Sequence, residues 1–578
     1  MTASGALHIL LYFAVLLALT KPLGAYMAAV FEGERRLSKR VFAPVERLVY
    51  RALLIDDKRE MDWKRYAINV VLFSTLSMFA VYLILRLQGH LPLNPQGLPG
   101  VKPDLAFNTA ASFTTNTNWQ SYAGESTMSY LSQMLALTVQ NFVSAAVGIV
   151  VVIVLIRAFA RRSTSNLGNF WVDLTRCILW ILLPLAAVLA LVLVSQGVIQ
   201  NFGGHKQITT LEGAKQVLAM GPAASQVAIK QLGTNGGGFF NTNSATPFEN
   251  PTPFSNFLEA VAILLIPAAL TYTFGKMVGK TAQGWAIFAA MSIIFLAGAF
   301  FTYGAEQTGN PVLSDLGVEQ AYHTGEQASA GGNMEGKEVR FGIADSSIWA
   351  VATTDASNGS VNSMHDSYTP LGGLVPLFNI QLGEVVFGGV GCGLYGMLVF
   401  AIIAVFVAGL MIGRTPEYLG KKIGPYEMKM AAVYLLISSA AILLGTAIAS
   451  VAPAGKEGPL NAGPHGFSEI LYAFTSAGGN NGSAFAGITT NTAFYNTSMG
   501  IAMLVARFLP MLAILALAGA VVRKQKVPES AATLPTNGPL FAGLLAGVII
   551  VVGGLTFFPA LALGPMVEHF LMHAGVLF

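Results

Sequence analysis

The sequence predicts an all-α integral membrane protein of about ten transmembrane helices. Eight of them pair into four parallel helix/pore-loop/helix repeats in a pseudo-fourfold arrangement, and one extra helix is added at each end. Three observations carry this expectation: a composition too apolar for water, ten membrane-length runs, and four short polar segments lodged between them. Hydrophobic residues make up 54% of the 578 and charged residues only 11%, which excludes a string of ordinary water-soluble domains.

A spanning helix needs about 20 mostly apolar residues. Such runs begin near Ala6, Ile68, Leu131, Cys177, Leu258, Ala286, Leu394, Ala431, Ile501 and Leu540. The first, His8 to Leu19, is short enough for a signal peptide, but no Lys or Arg precedes it, so it is expected to stay as the first helix. Ten cations lie between Phe31 and Arg65, and threading ten spans from there gathers 23 of the 33 Lys and Arg residues on one face. By the positive-inside rule that face is cytoplasmic, and both termini are extracytoplasmic. The net charge of +4 follows from these linkers and gives no reason to expect a nucleic-acid partner; the partner that composition demands is a lipid bilayer. Cys177 and Cys392, the two cysteines, read as small buried residues, too few for a disulfide scaffold.

The polar segments are Thr115-Asn116-Thr117-Asn118, Thr234-Asn235-Gly236-Gly237-Gly238, Gly389-Val390-Gly391-Cys392-Gly393 and Asn480-Asn481-Gly482-Ser483. Any one of them suits an exterior turn. Four, each between two apolar runs on the outer side, suit a ring of backbone carbonyls around a dehydrated cation. Glycine reaches the required backbone angles, while threonine and asparagine add side-chain oxygens or tie the loop down. Helix-compatible stretches precede the segments, Ala106 to Ser112, Ala224 to Gln231, Leu377 to Val386 and Phe467 to Phe474, and a half-helix ending there aims its negative pole at a cation. The expected organisation is residues 1–65 for the first helix and a basic linker, repeats at 66–165, 166–281, 282–429 and 430–527, and 528–578 for the last helix. Residues 304–370, rich in Gly, Ser, Asn, Thr and Glu, are expected to form an extracytoplasmic cap on the third repeat, with a disordered insert as the alternative.

Taken in order, Thr115-Asn116-Thr117-Asn118-Trp119-Gln120, Gly233 to Asn241, Gly388 to Met397 and Asn480 to Phe485 resemble the potassium-binding (KdpA) subunits of Kdp-type potassium-transporting ATPases, over essentially the whole chain. The resemblance implies a potassium-transporter superfamily fold and a bacterial inner-membrane location. It also implies three partners: a P-type ATPase catalytic subunit, a small single-span subunit and a small accessory peptide. It places a potassium filter on Thr115, Asn116 and Thr117; Thr234, Asn235 and Gly236; Gly389, Val390 and Gly391; and Asn480, Asn481 and Gly482. Asn118, Gln120, Gly237, Cys392 and Gly393 flank it, and K+ is its cargo, with no covalent cofactor. Cys392 stands where a small residue such as serine is expected, and Thr117 where a glycine is. The inner, broken helix of the third repeat would obstruct the pore, which brings in Arg414.

Charges at membrane depth need a reason, and Arg507 lies inside the run from Ile501 to Val522. It reads either as a positive gate below the filter or as a structural arginine bound to helix-end carbonyls, with Glu259 as counterpart or as an interfacial residue. The eight histidines show no ligand spacing. Gly391-Cys392-Gly393-Leu394-Tyr395-Gly396 fits a dinucleotide fingerprint, but it runs into a membrane span and not into a soluble βαβ unit. No Asp-Lys-Thr-Gly phosphorylation motif occurs, so the chain is not expected to be an enzyme on its own. The alternatives are a stand-alone passive or ion-coupled potassium transporter of the same superfamily and, less in keeping with parallel repeats, a secondary solute transporter.

Overall fold

The computed structural model describes residues 1–33, 39–324, 327–411, 413, 415–528 and 533–576. It contains ten helices long and apolar enough to cross a membrane. In chain order the helices that matter are α1 (Ala3–Glu32), α2 (Trp63–Leu87), α3 (Pro103–Thr114), α4 (Ser132–Ala160), α5 (Phe170–Ser195), α6 (Ala223–Leu232), α7 (Pro253–Met277) and α8 (Thr281–Gln307). They continue with α9 (Gly342–Asp355), α10 (Pro370–Gln381), α11 (Cys392–Met411), α12 (Pro425–Val451), α13 (Gly463–Gly479), α14 (Ala493–Arg523) and α15 (Pro539–Leu561). Among the described residues, sheet is confined to three two-stranded hairpins.

Local sequence sets the helix ends. Pro103, Pro253, Pro370, Pro425 and Pro539 occupy first turns, where a missing N–H costs nothing. Asp62, Asn169, Thr252 and Thr492 cap helix starts by accepting backbone N–H groups, and α1 stops at Gly33 in the left-handed region.

Burial then sorts the spans into two layers. The second span of each repeat is largely enclosed: 89% of the apolar window of α4 is buried, 78% of that of α7, and 67% for both α11 and α14. The first spans α2 and α12, at 22%, face outward. A span–short helix–span unit thus recurs four times around an inner ring of α4, α7, α11 and α14. The extra helix α1 packs along α7 and pins α8 as well, with Tyr12 Oη donating to the Ala260 carbonyl at 2.9 Å and Thr2 meeting Tyr303 Oη. At the other end of the chain, α15 packs on α8 and α11. Where α4 ends and α5 begins, Arg157 grips Asp173 through two hydrogen bonds of 2.6 and 2.8 Å, joining the first repeat to the second.

The third repeat departs from the sequence reading in two ways. Residues 304–370 do not simply cover the outer face: α9, from within that segment, enters the protein as a third short pore helix, buried along most of its length. The segment is moored by Glu306, which accepts from Lys337 at 2.7 Å and from Thr369 N–H at 2.9 Å, and by Arg340, which donates to the carbonyls of Asn250 and Ala245. The stretch Leu377 to Val386, expected to be the third pore helix, instead covers the end of α10 and the loop that follows. The second span of this repeat is therefore broken into α10 and α11 around residues 382–391.

Candidate functional site

The pore helices α3, α6, α9 and α13 all end in the same way. Each is followed by a residue in the left-handed region: Asn116 at φ 66°, Thr234 at 48°, Ser357 at 56° and Asn480 at 58°. The next N–H then reaches back five residues, Thr117 to Ser112, Asn235 to Lys230, Asn358 to Thr353 and Asn481 to Ser476, at 2.8 to 3.0 Å. This is the six-to-one closure of a Schellman turn, made four times. A β-branched threonine in that region is strained, and such strain persists where the surroundings fix it.

The repeated turn sets the register. The equivalent triplets are Asn116-Thr117-Asn118, Thr234-Asn235-Gly236, Ser357-Asn358-Gly359 and Asn480-Asn481-Gly482. Two corrections follow. The first triplet begins one residue later than Thr115, so Asn118, at φ 58°, takes the place expected for Thr117 and stands level with the glycines. Asparagine is tolerated there because it adopts the left-handed region more readily than most residues. The third triplet is Ser357-Asn358-Gly359 and not Gly389-Val390-Gly391.

Contacts close the four into a ring. Asn116 donates to the Thr234 carbonyl at 3.0 Å, and Gln120 and Gly238 exchange hydrogen bonds of 3.0 and 2.8 Å. Gly359 N–H donates to the Asn235 carbonyl at 3.1 Å, and a Cβ on Gly236 would run into the backbone nitrogens of Gly359 and Ser360. Ser357 Oγ donates to the Asn480 carbonyl at 2.8 Å, and a Cβ on Gly359 would lie 2.9 Å from the Gly482 carbonyl carbon. Asn480 donates to Thr117 Oγ1 at 3.0 Å, and a Cβ on Gly482 would run into the Thr117 carbonyl. The order around the ring is the order of the repeats.

Gly389-Val390-Gly391 lies against the helix-end side of this ring. Val390 N–H donates to Thr234 Oγ1 at 2.9 Å, a Cβ on Gly389 would sit 3.1 Å from that of Ser357, and Gly391 abuts the Gly148 carbonyl in α4. Arg507 approaches from α14, where its Nη2 would be 3.3 Å from a Cβ on Gly148, the residue that Gly391 abuts. A cavity of about 280 Å³ opens beside them, lined by Gln381, Glu384, Cys392, Tyr395, Asn480 and Arg507. Glu384, buried in this lining, was not singled out in the sequence. Glu259 is not the counterpart of Arg507: it accepts from Gln231 at 3.0 Å behind the second pore helix. Gly237 packs on Asn118, and Gly393 packs on Phe387 and Gly388 within the third-repeat loop. Arg414 lies outside the described residues.

Two histidines lie in or against α13. Burial, with Lys337 nearby, pulls His365 down to about 3, so its neutral ring pairs with Tyr472 Oη at 2.9 Å, and that hydroxyl meets Ser483 Oγ behind the fourth triplet. Burial also acts against a charged His465, but hydrogen bonds to Asp366 at 3.0 Å and Glu568 at 2.6 Å outweigh it and push the ring up to about 10.

Residues 10–570 match the family model described as potassium-transporting ATPase A subunit. The chain belongs to that family. Relatives named potassium-transporting ATPase potassium-binding subunit include one from Sorangium cellulosum, 61% identical over 98% of this chain and 99% of the relative, and one from Methylococcus capsulatus, 60% identical over 99% of both. Among solved structures, the potassium transporter TrkH from Vibrio parahaemolyticus aligns with a TM-score of 0.52 at 14% identity, covering 88% of this chain and 96% of that one. At that identity the likeness concerns the fold alone.

Proposed function

We propose that this chain is the potassium-binding and translocating subunit of an ATP-driven uptake pump, selecting K+ on a ring made by Asn116-Thr117-Asn118, Thr234-Asn235-Gly236, Ser357-Asn358-Gly359 and Asn480-Asn481-Gly482. The observation that carries the reading is the fourfold Schellman turn, which delivers four helix C-termini and their following backbone to one point. Family membership and the names of the 60% relatives support potassium as the ion. Four helix C-termini favour a cation, and main-chain oxygens suit one that sheds its water.

ATP hydrolysis belongs in this reading to a P-type catalytic subunit, with a small single-span subunit and an accessory peptide alongside. The assembly sits in a bacterial inner membrane with the ring facing outward, as the distribution of cations supports. Arg507, below the ring beside Cys392, is the gate or coupling candidate. The test uses the purified full-length chain, alone and with its partners. Alone it should be stabilised by KCl over choline chloride and should hydrolyse no ATP; with the catalytic subunit, ATP hydrolysis should become K+-dependent. Potassium-stimulated ATPase activity from the chain alone would overturn the reading, and K+ flux through the chain alone in vesicles would favour a stand-alone transporter.

A further inference from the structure

Lys230 lies in the second pore helix with its side chain fully enclosed, an arrangement that needs a cause because an unpaired ammonium in such a place is costly. Its Nζ donates to Asn243 Oδ1 at 2.7 Å and to Glu249, which is just as buried. Glu249 also accepts the Phe240 N–H at 2.9 Å. Asn243, itself left-handed at φ 53°, turns its amide the other way and donates to the Gly236 carbonyl oxygen at 2.7 Å. Meanwhile the Lys230 carbonyl accepts the N–H groups of Asn235 and Gly236 at 2.8 and 3.2 Å. One residue thus holds the backbone of Gly236 twice, its N–H directly and its C=O through Asn243. Because Glu249 neutralises the ammonium, the clamp adds no net positive charge beside a cation site.

Side chains of Asn116 and Ser357 donate to first-position carbonyls of the ring, those of Thr234 and Asn480, but the third-position carbonyl is held in this way in the second quarter alone among the described residues. Among the described residues, no side chain donates to the carbonyl oxygens of Asn118, Gly359 or Gly482. An amide donor on one oxygen of a ring does two things: it fixes the direction of that C=O and it uses part of its lone-pair capacity. Both alter the spacing and strength of the oxygens offered to an ion.

We propose that Asn243, oriented by Lys230, is a positioning residue that sets ion discrimination, by fixing the Gly236 carbonyl and with it the second quarter of the oxygen ring. The inference rests on the reading of the ring as the potassium site and names what tunes it. Its class of ligand is a monovalent cation of potassium size, and the probes are KCl, RbCl and NaCl.

The experiment measures the thermal unfolding midpoint of the full-length purified chain in choline chloride while each salt is titrated in, since an ion that binds the native state raises the midpoint by mass action. Asn243→Asp keeps the acceptor for Lys230 and the shape of the side chain, but it aims a carboxylate oxygen at the Gly236 oxygen. Half-saturating K+ is expected to rise about tenfold or more, as for a buried polar partner left unmatched, and the K+ to Rb+ ratio to move toward one. Asn250→Asp is the matched control. Asn250 is also buried, in the same loop, but its amide donates to the Ser244 carbonyl at 3.1 Å and to Asn256 Oδ1 at 3.0 Å and to no oxygen of the ring. It should lower the midpoint and leave the ion ratio alone. If Asn243→Asp is not recovered folded, Asn243→Ser, too short to reach Gly236, carries the same expectation. An unchanged ratio in the Asn243 variant, or an equal shift in Asn250→Asp, overturns the inference while leaving the ring assignment standing. A parent protein with no preference among the three salts removes the ring assignment itself.

Discussion

Adding one methyl group at Gly236 tests the ring directly. Its φ of 84° lies where an L-residue with a Cβ is penalised by about 1–2 kcal/mol. The new Cβ would also run into the backbone nitrogens of Gly359 and Ser360, which are main-chain atoms of the neighbouring quarter and cannot rotate aside. The relief must come from displacement of one ring segment against another, with local strain of about 1–3 kcal/mol. At 1.4 kcal/mol per decade, Gly236→Ala should weaken K+ binding about fivefold to about 150-fold, to the extent that the strain falls on the ion-bound ring. The assay is again the salt-dependent unfolding midpoint, run with K+, Rb+ and Na+. Gly391→Ala makes the comparison sharp: φ is 94° and its Cβ would meet the Gly148 carbonyl, so it suffers similar strain outside the ring. It should lower stability and spare selectivity. Gly547→Ala, with no heavy atom within 4 Å of its Cβ, should do neither. Selectivity unchanged in Gly236→Ala, or altered more in Gly391→Ala, would refute the assignment of the third quarter to Ser357-Asn358-Gly359.

Arg507→Ala should leave the chain folded but change the K+ dependence of ATP hydrolysis in the assembled pump. Lysine should substitute poorly if a forked contact is used, and unchanged coupling would make Arg507 purely structural. His465, held protonated by Asp366 and Glu568 up to about pH 10, contributes stability that is complete below its unfolded pKa of about 6.5 and is lost as pH rises toward 10. The unfolding midpoint should therefore drop between pH 7 and pH 10, and His465→Gln should flatten that drop; an identical profile in the variant would exclude this origin. Cys177 is fully buried, so a membrane-permeant maleimide should not label it until the protein is denatured, and rapid labelling of Cys177 in the folded chain, with Cys392 replaced by serine, would contradict its enclosed position.

The spans, and the three turns that close the first, second and fourth short helices, were legible in the sequence because their signals are local: a membrane-length apolar run, then a short helix, then a threonine–asparagine or asparagine–asparagine step. The third quarter was not. Ser357-Asn358-Gly359 is set in a long polar segment whose composition resembles a surface cap, while Gly389-Val390-Gly391 imitates a filter at the sequence level. A physical signal did distinguish them. Gly391 runs straight into the span that begins at Cys392, leaving no return segment from the ring to the outside, whereas Asn118, Gly236 and Gly482 each have one. The uncharged run from Ser346 to Thr354 just ahead of Ser357 is the pore helix in plain form. The register of the first triplet could not be read locally either, since Thr-Asn-Thr-Asn aligns equally well in two frames, and only the five-residue hydrogen bond from Thr117 to Ser112 chooses between them.

The place of Asn118 level with three glycines has a consequence for how such a ring can change. In an assembly of four identical subunits, any substitution in the filter is copied into every quadrant, so one mutation makes four simultaneous alterations and intermediate designs are unreachable. Here one gene writes each quadrant separately. A carbonyl can be retouched singly, and an amide can stand in one corner while glycine keeps the other three. The cage can therefore be graded in quarter steps, and selection or an engineer has access to ion affinities lying between those of a symmetric site and its fully altered copy.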